Sequence, residues 1–89
     1  MWGQRHHEYL RRNKRITLSS LQISGKLNGY LADIDRQAEE MFERLVKQMA
    51  ESGGVTEQLK AIDQMAWVGK MNSIRNLAKE IVNNELIFM

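Results

Sequence analysis

A continuous apolar stripe through the middle of the chain constrains its fold more than any other feature. Seven apolar side chains recur every three or four residues, and they are Leu27, Leu31, Ile34, Ala38, Phe42, Leu45 and Met49. This spacing matches the period of an α-helix and predicts one long amphipathic helix with charged residues on its other faces. The turn Ser52-Gly53-Gly54 ends that helix.

A second long helix is predicted to follow, with Thr56 as its N-cap and its end near Leu86. The loop between the two long helices is so short that they must run antiparallel as a hairpin. The second helix carries apolar residues on two sides, so the hairpin cannot cover itself. We expect either the N-terminal helices to fold back over it or a second subunit to pack on it, and we favour a homodimer.

Two short helices are predicted before the hairpin. Residues 4–13 form the first, and the second runs from an N-cap at Thr17 to a stop at Gly25, with Ile16 and Leu21 as a hydrophobic staple. The predicted fold is therefore all-α, with two short N-terminal helices and a long antiparallel helical hairpin. It forms one domain over residues 1–89, divided into basic helices at 1–25 and hairpin helices at 26–52 and 56–86.

Composition and motifs argue against several classes of function. The chain of 89 residues has no Cys and no Pro, so it offers no disulfide, thiolate metal site or Cys nucleophile. No apolar run is long enough to span a bilayer, so we expect a cytoplasmic protein with no membrane partner.

Two short motifs resemble a metal site and a phosphate-binding loop, but neither has the residue spacing that such a site needs. His6 and His7 are adjacent, whereas two metal ligands on one helix need a spacing of four residues. Ser24-Gly25-Lys26 resembles a phosphate-binding loop, but Ser20 stands where that loop needs a Gly. We therefore expect no metal, no cofactor and no enzymatic activity, with His6 packed beside Tyr9 and Leu10.

Charge is distributed unevenly along the chain. Residues 1–26 hold six basic residues against one acidic residue, a net +5, and residues 27–89 hold seven against ten, a net −3. The N-terminal third is thus expected to attract an anion such as a nucleic-acid phosphate. The candidate nucleic-acid-binding residues are Arg5, Arg11, Arg12, Lys14, Arg15, Lys26, Asn28 and Tyr30.

The second short helix, Gly25 and the start of the long helix have the layout of a helix-turn-helix motif. In that interpretation Lys26, Asn28 and Tyr30 approach the DNA groove. Asp33 and Asp35 follow at once and would repel phosphates, so we favour a plain helical corner.

Several ordered segments resemble the TnpV family of transposon-encoded proteins from mobile elements of gut bacteria. They are Trp2-Gly3-Gln4-Arg5-His6, Ser24-Gly25-Lys26-Leu27-Asn28, Tyr30-Leu31-Ala32-Asp33-Ile34-Asp35, Phe42-Glu43-Arg44-Leu45-Val46, Thr56-Glu57-Gln58-Leu59-Lys60, Trp67-Val68-Gly69-Lys70-Met71-Asn72 and Ile81-Val82-Asn83-Asn84-Glu85-Leu86. Members of that family usually carry a further stretch before the Trp-Gly-Gln motif. The resemblance implies a bacterial, cytoplasmic protein of a mobile element, and it implies no reaction and no site residues.

Two functions from different classes follow. The first is an accessory DNA-binding or regulatory protein of a mobile element, which docks through its basic N-terminal segment. The second is a small protein–protein interaction module, such as an inhibitor of a host defence nuclease. In that case the carboxylates of Asp35, Glu39 and Glu43 bind a basic partner.

Overall fold

The computed structural model describes residues 1–88, and these residues form an all-α fold, as predicted. Five α-helices and one π-helical turn follow one another along the chain. They are α1 (Trp2–Asn13), α2 (Arg15–Ile23), α3 (Leu27–Ser52), α4 (Glu57–Ile62), α5 (Gln64–Val82) and the π-helical turn (Asn83–Ile87). No helix among the described residues is long and apolar enough to cross a membrane.

The long helices α3 and α5 form the antiparallel hairpin that the sequence predicts. Val82, at the end of α5, packs with Ile34 and Ala38 in the first half of α3. Met49, near the end of α3, shares a surface depression with Gly69 and other residues of the first half of α5. All seven residues of the predicted stripe are buried or half-buried. The hairpin sets the long axis of a molecule that measures 55 × 20 × 17 Å.

Two glycines close the ends of α2 and α3 by the same local geometry. Gly25 and Gly54 have φ angles of 72° and 69°, in the left-handed region that Gly enters without strain. After α2, the amide of Lys26 donates to the carbonyl of Leu21, and the amide of Gly25 donates to that of Gln22. This pair of bonds is a Schellman motif, which satisfies carbonyls that the helix leaves unpaired. The predicted stop at Gly25 is confirmed.

The second hairpin helix is broken at Asp63, where the sequence predicted one continuous helix over 56–86. Asp63 has φ −145° and ψ 87°, and its carboxylate accepts a hydrogen bond from the amide of Ala66. It therefore ends α4 and caps α5. Thr56 caps α4 through the amide of Leu59, as predicted. After Val82 the helix widens into the π-helical turn, which ends at Ile87, close to the predicted end near Leu86.

The start of α2 also differs from the prediction. Lys14, with φ −140° and ψ 60°, is the only residue between α1 and α2, and α2 begins at Arg15. Thr17 lies inside the helix and is not its N-cap. Ile16 is 88% exposed and forms no hydrophobic staple.

The hydrophobic core lies at the end of the hairpin where α1 crosses it. Trp2 of α1 and Ile87 of the π-helical turn are buried there with Ile34, Ala38 and Val82. The first helix thus folds back over one end of the hairpin, which is one of the two arrangements expected from the sequence. In contrast, α2 buries only Leu18 and projects from this end of the molecule.

Candidate nucleic-acid interface

The N-terminal Trp-Gly pair docks α1 onto two carboxylates of α3. The indole Nε1 of Trp2 donates to Glu39 Oε2 at 2.9 Å, and the amide of Gly3 donates to Asp35 Oδ1 at 3.0 Å. A Cβ on Gly3 would lie 2.8 Å from the carbonyl oxygen of Leu31, so a larger residue would force the helices apart. Two of the three carboxylates predicted for a basic protein partner therefore hold α1 in place.

The contact between Gly3 and Asp35 also shifts the acidity of this carboxyl group. The pKa of Asp35 is lowered, first because the Gly3 amide donates to the carboxylate and also because the Met1 ammonium lies 3.4 Å away. The ionised form of Asp35 is thus the form that the fold stabilises. Glu43, the third predicted carboxylate, is exposed on α3.

His6 is buried at the junction of α1, α3 and the π-helical turn. Its Nδ1 lies 2.7 Å from the carbonyl oxygen of Ile87, which can only accept, so Nδ1 carries a proton and donates. Its Nε2 lies 2.8 Å from the hydroxyl of Tyr30. The ring also stacks on Tyr9 at a centroid distance of 6.2 Å, in agreement with the predicted packing. Tyr30, a candidate DNA contact in the sequence, is held by this network.

Arg5, another candidate DNA contact, is half-buried and joins α1 to the π-helical turn. Its Nη1 donates to Asn83 Oδ1 at 3.0 Å, and its Cζ lies 5.6 Å from the centroid of the Trp2 ring. The guanidinium thus contributes a hydrogen bond and a cation–π contact to the fold. Both interactions restrict its availability to a nucleic acid.

Four of the predicted DNA-binding residues come together where α1 meets α2. We call this exposed cluster the basic corner, and it consists of Arg11, Arg12, Lys14 and Arg15. The side chains of Arg11, Arg12 and Arg15 line one shallow depression, together with Leu18 and Ser19. Three arginines therefore line a single concave surface.

Glu8 organises one side of the basic corner. Its Oε1 accepts from Arg11 Nη2 at 2.6 Å and from Arg12 Nε at 3.0 Å, and all three side chains are substantially exposed. The hydrogen bond from Arg11 lowers the pKa of Glu8 and, reciprocally, raises the pKa of Arg11. The four basic residues and this carboxylate keep a net charge of +3 at neutral pH.

Lys26 and Asn28 lie apart from the basic corner, at the far end of α2. Both are exposed. Arg15 is the first of the nine residues of α2, so the length of that helix, about 13 Å, separates it from Lys26 and Asn28. The predicted nucleic-acid-binding residues thus form three groups. Four make up the basic corner, Lys26 and Asn28 lie apart from it, and Arg5 and Tyr30 have partners within the fold.

Sequence reasoning missed the outer face of α2. Ile16 is 88% and Ile23 is 87% exposed, on the side of the helix opposite Leu18. Ser19 and Ser20 lie between them and line a second shallow depression with Arg15. The signal was available as two isoleucines seven residues apart, but the predicted staple assigned Ile16 to an internal contact.

A protein-family model, Transposon-encoded protein TnpV, matches residues 1–87. The chain belongs to the TnpV family. No curated protein and no solved structure is significantly similar to it.

The structure explains several of the motifs that carry the likeness to TnpV proteins. The Trp2-Gly3 pair contacts Asp35 and Glu39, and His6 contacts Tyr30. Arg5 contacts Asn83, which lies 78 positions away in the chain. These motif residues therefore hold α1 against α3 and the π-helical turn, and the basic corner lies outside that network.

Proposed function

We propose that this transposon-encoded protein is an accessory DNA-binding protein of its mobile element and binds the duplex through the basic corner. The observation that carries the proposal is the convergence of Arg11, Arg12 and Arg15 on one exposed depression. A guanidinium group can donate two parallel hydrogen bonds to a phosphate, so three of them around one concavity suit a phosphate backbone. As a partner of bacterial DNA, the protein would act in the cytoplasm.

The distribution of charge supports one orientation on the DNA. The positive charge is concentrated in residues 1–26, and the remaining residues have a net charge of −3. The negative charge lies mainly in the N-terminal part of α3, which holds Asp33, Asp35, Glu39 and Glu40 against Arg36. Phosphates would therefore be repelled from that part of α3 and attracted to the basic corner. Because α1 is fixed to the core through Trp2, Gly3 and His6, the basic corner is presented on a rigid support.

The proposal is one of binding rather than catalysis. The buried His6, the residue type most often used as a general base, has both ring nitrogens engaged by Ile87 and Tyr30. The exposed Arg and Lys side chains of the basic corner are suited to holding an anion.

Replacing the basic corner tests the proposal. Changing Arg11, Arg12, Lys14 and Arg15 together to Gln should weaken binding to any duplex and flatten its salt dependence. The log–log slope of affinity against salt concentration should fall by up to about one unit for each phosphate that the variant no longer binds. Fluorescence anisotropy with a labelled duplex of about 20 base pairs, at several salt concentrations, measures both quantities.

A matched variant controls for the change in total charge. Lys47, Lys70, Arg75 and Lys79 are exposed on α3 and α5, and changing them to Gln removes the same four charges. This variant should keep the wild-type slope. Equal weakening in the two variants would mean that overall charge, not the basic corner, drives binding. No binding by the wild type at low salt would overturn the proposal.

A protein partner is the second candidate, and exposed apolar side chains at the α4–α5 break favour it. Ile62 is 77% and Met65 is 82% exposed there. The two residues lie three positions apart in the chain, and exposed apolar side chains that form a patch are typical of protein interaction sites. For an inhibitor of a nuclease, Glu43→Lys should weaken capture of a basic partner. Asp35→Lys and Glu39→Lys would also disturb the docking of α1, so they are poorer tests.

A further inference from the structure

Helix α2 is exposed on almost all sides. Among its nine residues only Leu18 is buried and Leu21 is half-buried. The side opposite these leucines carries Ile16 and Ile23, which are 88% and 87% exposed. Two isoleucines on one outer face leave apolar area in water, and covering it is favourable.

The same face combines methyl groups with hydroxyl groups. Ser19 and Ser20 lie between the two isoleucines, and Arg15 borders the shallow depression that these residues line. The edges of base pairs in the major groove of DNA present thymine methyl groups together with hydrogen-bond donors and acceptors. Isoleucine can pack against the thymine methyl groups. Serine can donate or accept a hydrogen bond and so can pair with the donors and acceptors.

The phosphate-binding arginines lie directly beside this face. Arg15 and Ser19 line both the outer depression of α2 and the depression shared with Arg11 and Arg12. A helix with side chains is about 10–12 Å across, and the major groove is about 12 Å wide. With α2 in the groove, Arg11, Arg12 and Arg15 would therefore reach the phosphates along one edge of that groove.

A second copy of the chain fits this face less well than DNA does. One face of α2 offers a strip of about 13 × 10 Å, whereas stable protein interfaces bury about 800 Å² on each partner. Pairing two copies through α2 would also bring two basic corners together, each with a net charge of +3. A phosphate backbone instead supplies the opposite charge.

We infer that α2 inserts into the major groove of duplex DNA, with Ile16 and Ile23 against thymine methyl groups. This inference rests on the proposed DNA binding and assigns the groove-reading element. It differs from the helix-turn-helix interpretation, in which Lys26, Asn28 and Tyr30 at the start of α3 read the groove. Of these three residues, Tyr30 has its hydroxyl held 2.8 Å from His6 Nε2.

Uracil substitution tests the contact with thymine methyl groups directly. A uracil-containing duplex differs from the thymine duplex of the same sequence only by the missing methyl groups of the major groove. The wild type should bind an A·T-rich thymine duplex roughly three- to fivefold more tightly for each methyl group that it covers. The double variant Ile16→Ser with Ile23→Ser should bind both duplexes alike and keep the wild-type salt dependence.

An isoleucine at the opposite end of the molecule provides the control. Ile62 is 77% exposed on α4, and Ile62→Ser should preserve the preference for thymine. A wild type that binds both duplexes equally, or a double variant that keeps the thymine preference, would overturn the inference and leave the proposed DNA binding intact. Loss of self-association in the double variant, measured by sedimentation, would assign this face to a second copy and also overturn it. Absence of any DNA binding at low salt would remove the proposed function itself.

Discussion

At the scale of single residues, the contacts that hold α1 in place are polar as well as apolar. Among residues 1–88 every buried side-chain nitrogen or oxygen has a hydrogen-bond partner. Trp2 and His6 are each 1% exposed, and both use their polar atoms in contacts with other elements. Buried polar atoms without partners are costly, so these bonds specify one position of α1 on the hairpin.

Asp35 should make the stability of the protein depend on pH at acidic values. Its pKa is lowered in the folded state by the Gly3 amide, so the carboxylate contributes stability above its unfolded pKa of about 3.9. That contribution is lost as the pH falls through the lower folded value. Asp35→Asn should therefore cost about 1 kcal/mol or less at pH 7, since the site is partly exposed, and almost nothing at pH 2.

Urea denaturation at pH 7 and at pH 2 measures this difference. Asp33 is an exposed aspartate on the same helix, and Asp33→Asn serves as the control. The control should change stability by less than about half a kcal/mol at both pH values. If the free energies of unfolding of wild type and Asp35→Asn differed as much at pH 2 as at pH 7, the ionised carboxylate of Asp35 would not be the source of the stability.

At the scale of elements, apolar periodicity predicted α3 correctly and missed the break before α5. The stripe from Leu27 to Met49 is uninterrupted, and α3 runs from Leu27 to Ser52. Asp63 occupies a polar position of the helical pattern and so gave no periodic signal. Its side chain accepts a hydrogen bond from the amide of Ala66, which the start of a new helix leaves unpaired. Whether Asp63 continues one helix or caps the next depends on packing as well as on sequence.

Removal of this cap should destabilise the fold moderately. Asp63→Ala leaves the first amides of α5 without a side-chain acceptor and should cost about 1 kcal/mol. Thermal denaturation followed by circular dichroism measures the change in stability. Gln64→Ala, an exposed neighbour, should have little effect. A rise in both helical signal and stability in Asp63→Ala would show instead that α4 and α5 had fused into the continuous helix that periodicity predicts.

Only the part of the candidate site that depends on neighbours in the chain was predictable from the sequence. The cluster of four basic residues in the sequence became the basic corner, because neighbours at a helix junction stay close in any fold. Arg5 and Tyr30 acquired partners that are distant in sequence, Asn83 and His6. A residue type indicates what a side chain can bind, but only tertiary packing decides whether that side chain is left free to do so.

At the scale of the whole molecule, the two ends of the rod differ in how they are covered. At the core end, α1 packs on α3 and the π-helical turn. At the far end, within the described residues, α3 packs only on α5, and α4 also packs on α5. Met65 and Val68 are 82% and 39% exposed there. Two or three helices cannot enclose all their apolar sides, so this end is where a partner would be most favourable.

The predicted homodimer should therefore form through the far end and not through α2. Sedimentation at about ten micromolar should give twice the chain mass of 10.4 kDa. Met65→Glu with Val68→Glu places charges on the interface and should return the mass to that of one chain. Ile23 at the opposite end is about as exposed as Met65, and Ile23→Glu should leave the dimer intact. A wild type that sediments as one chain would contradict the homodimer. A dimer that Ile23→Glu dissociates would instead place the contact on α2. A dimer joined at the far end leaves both basic corners free to bind DNA, because they lie at the opposite end of each chain.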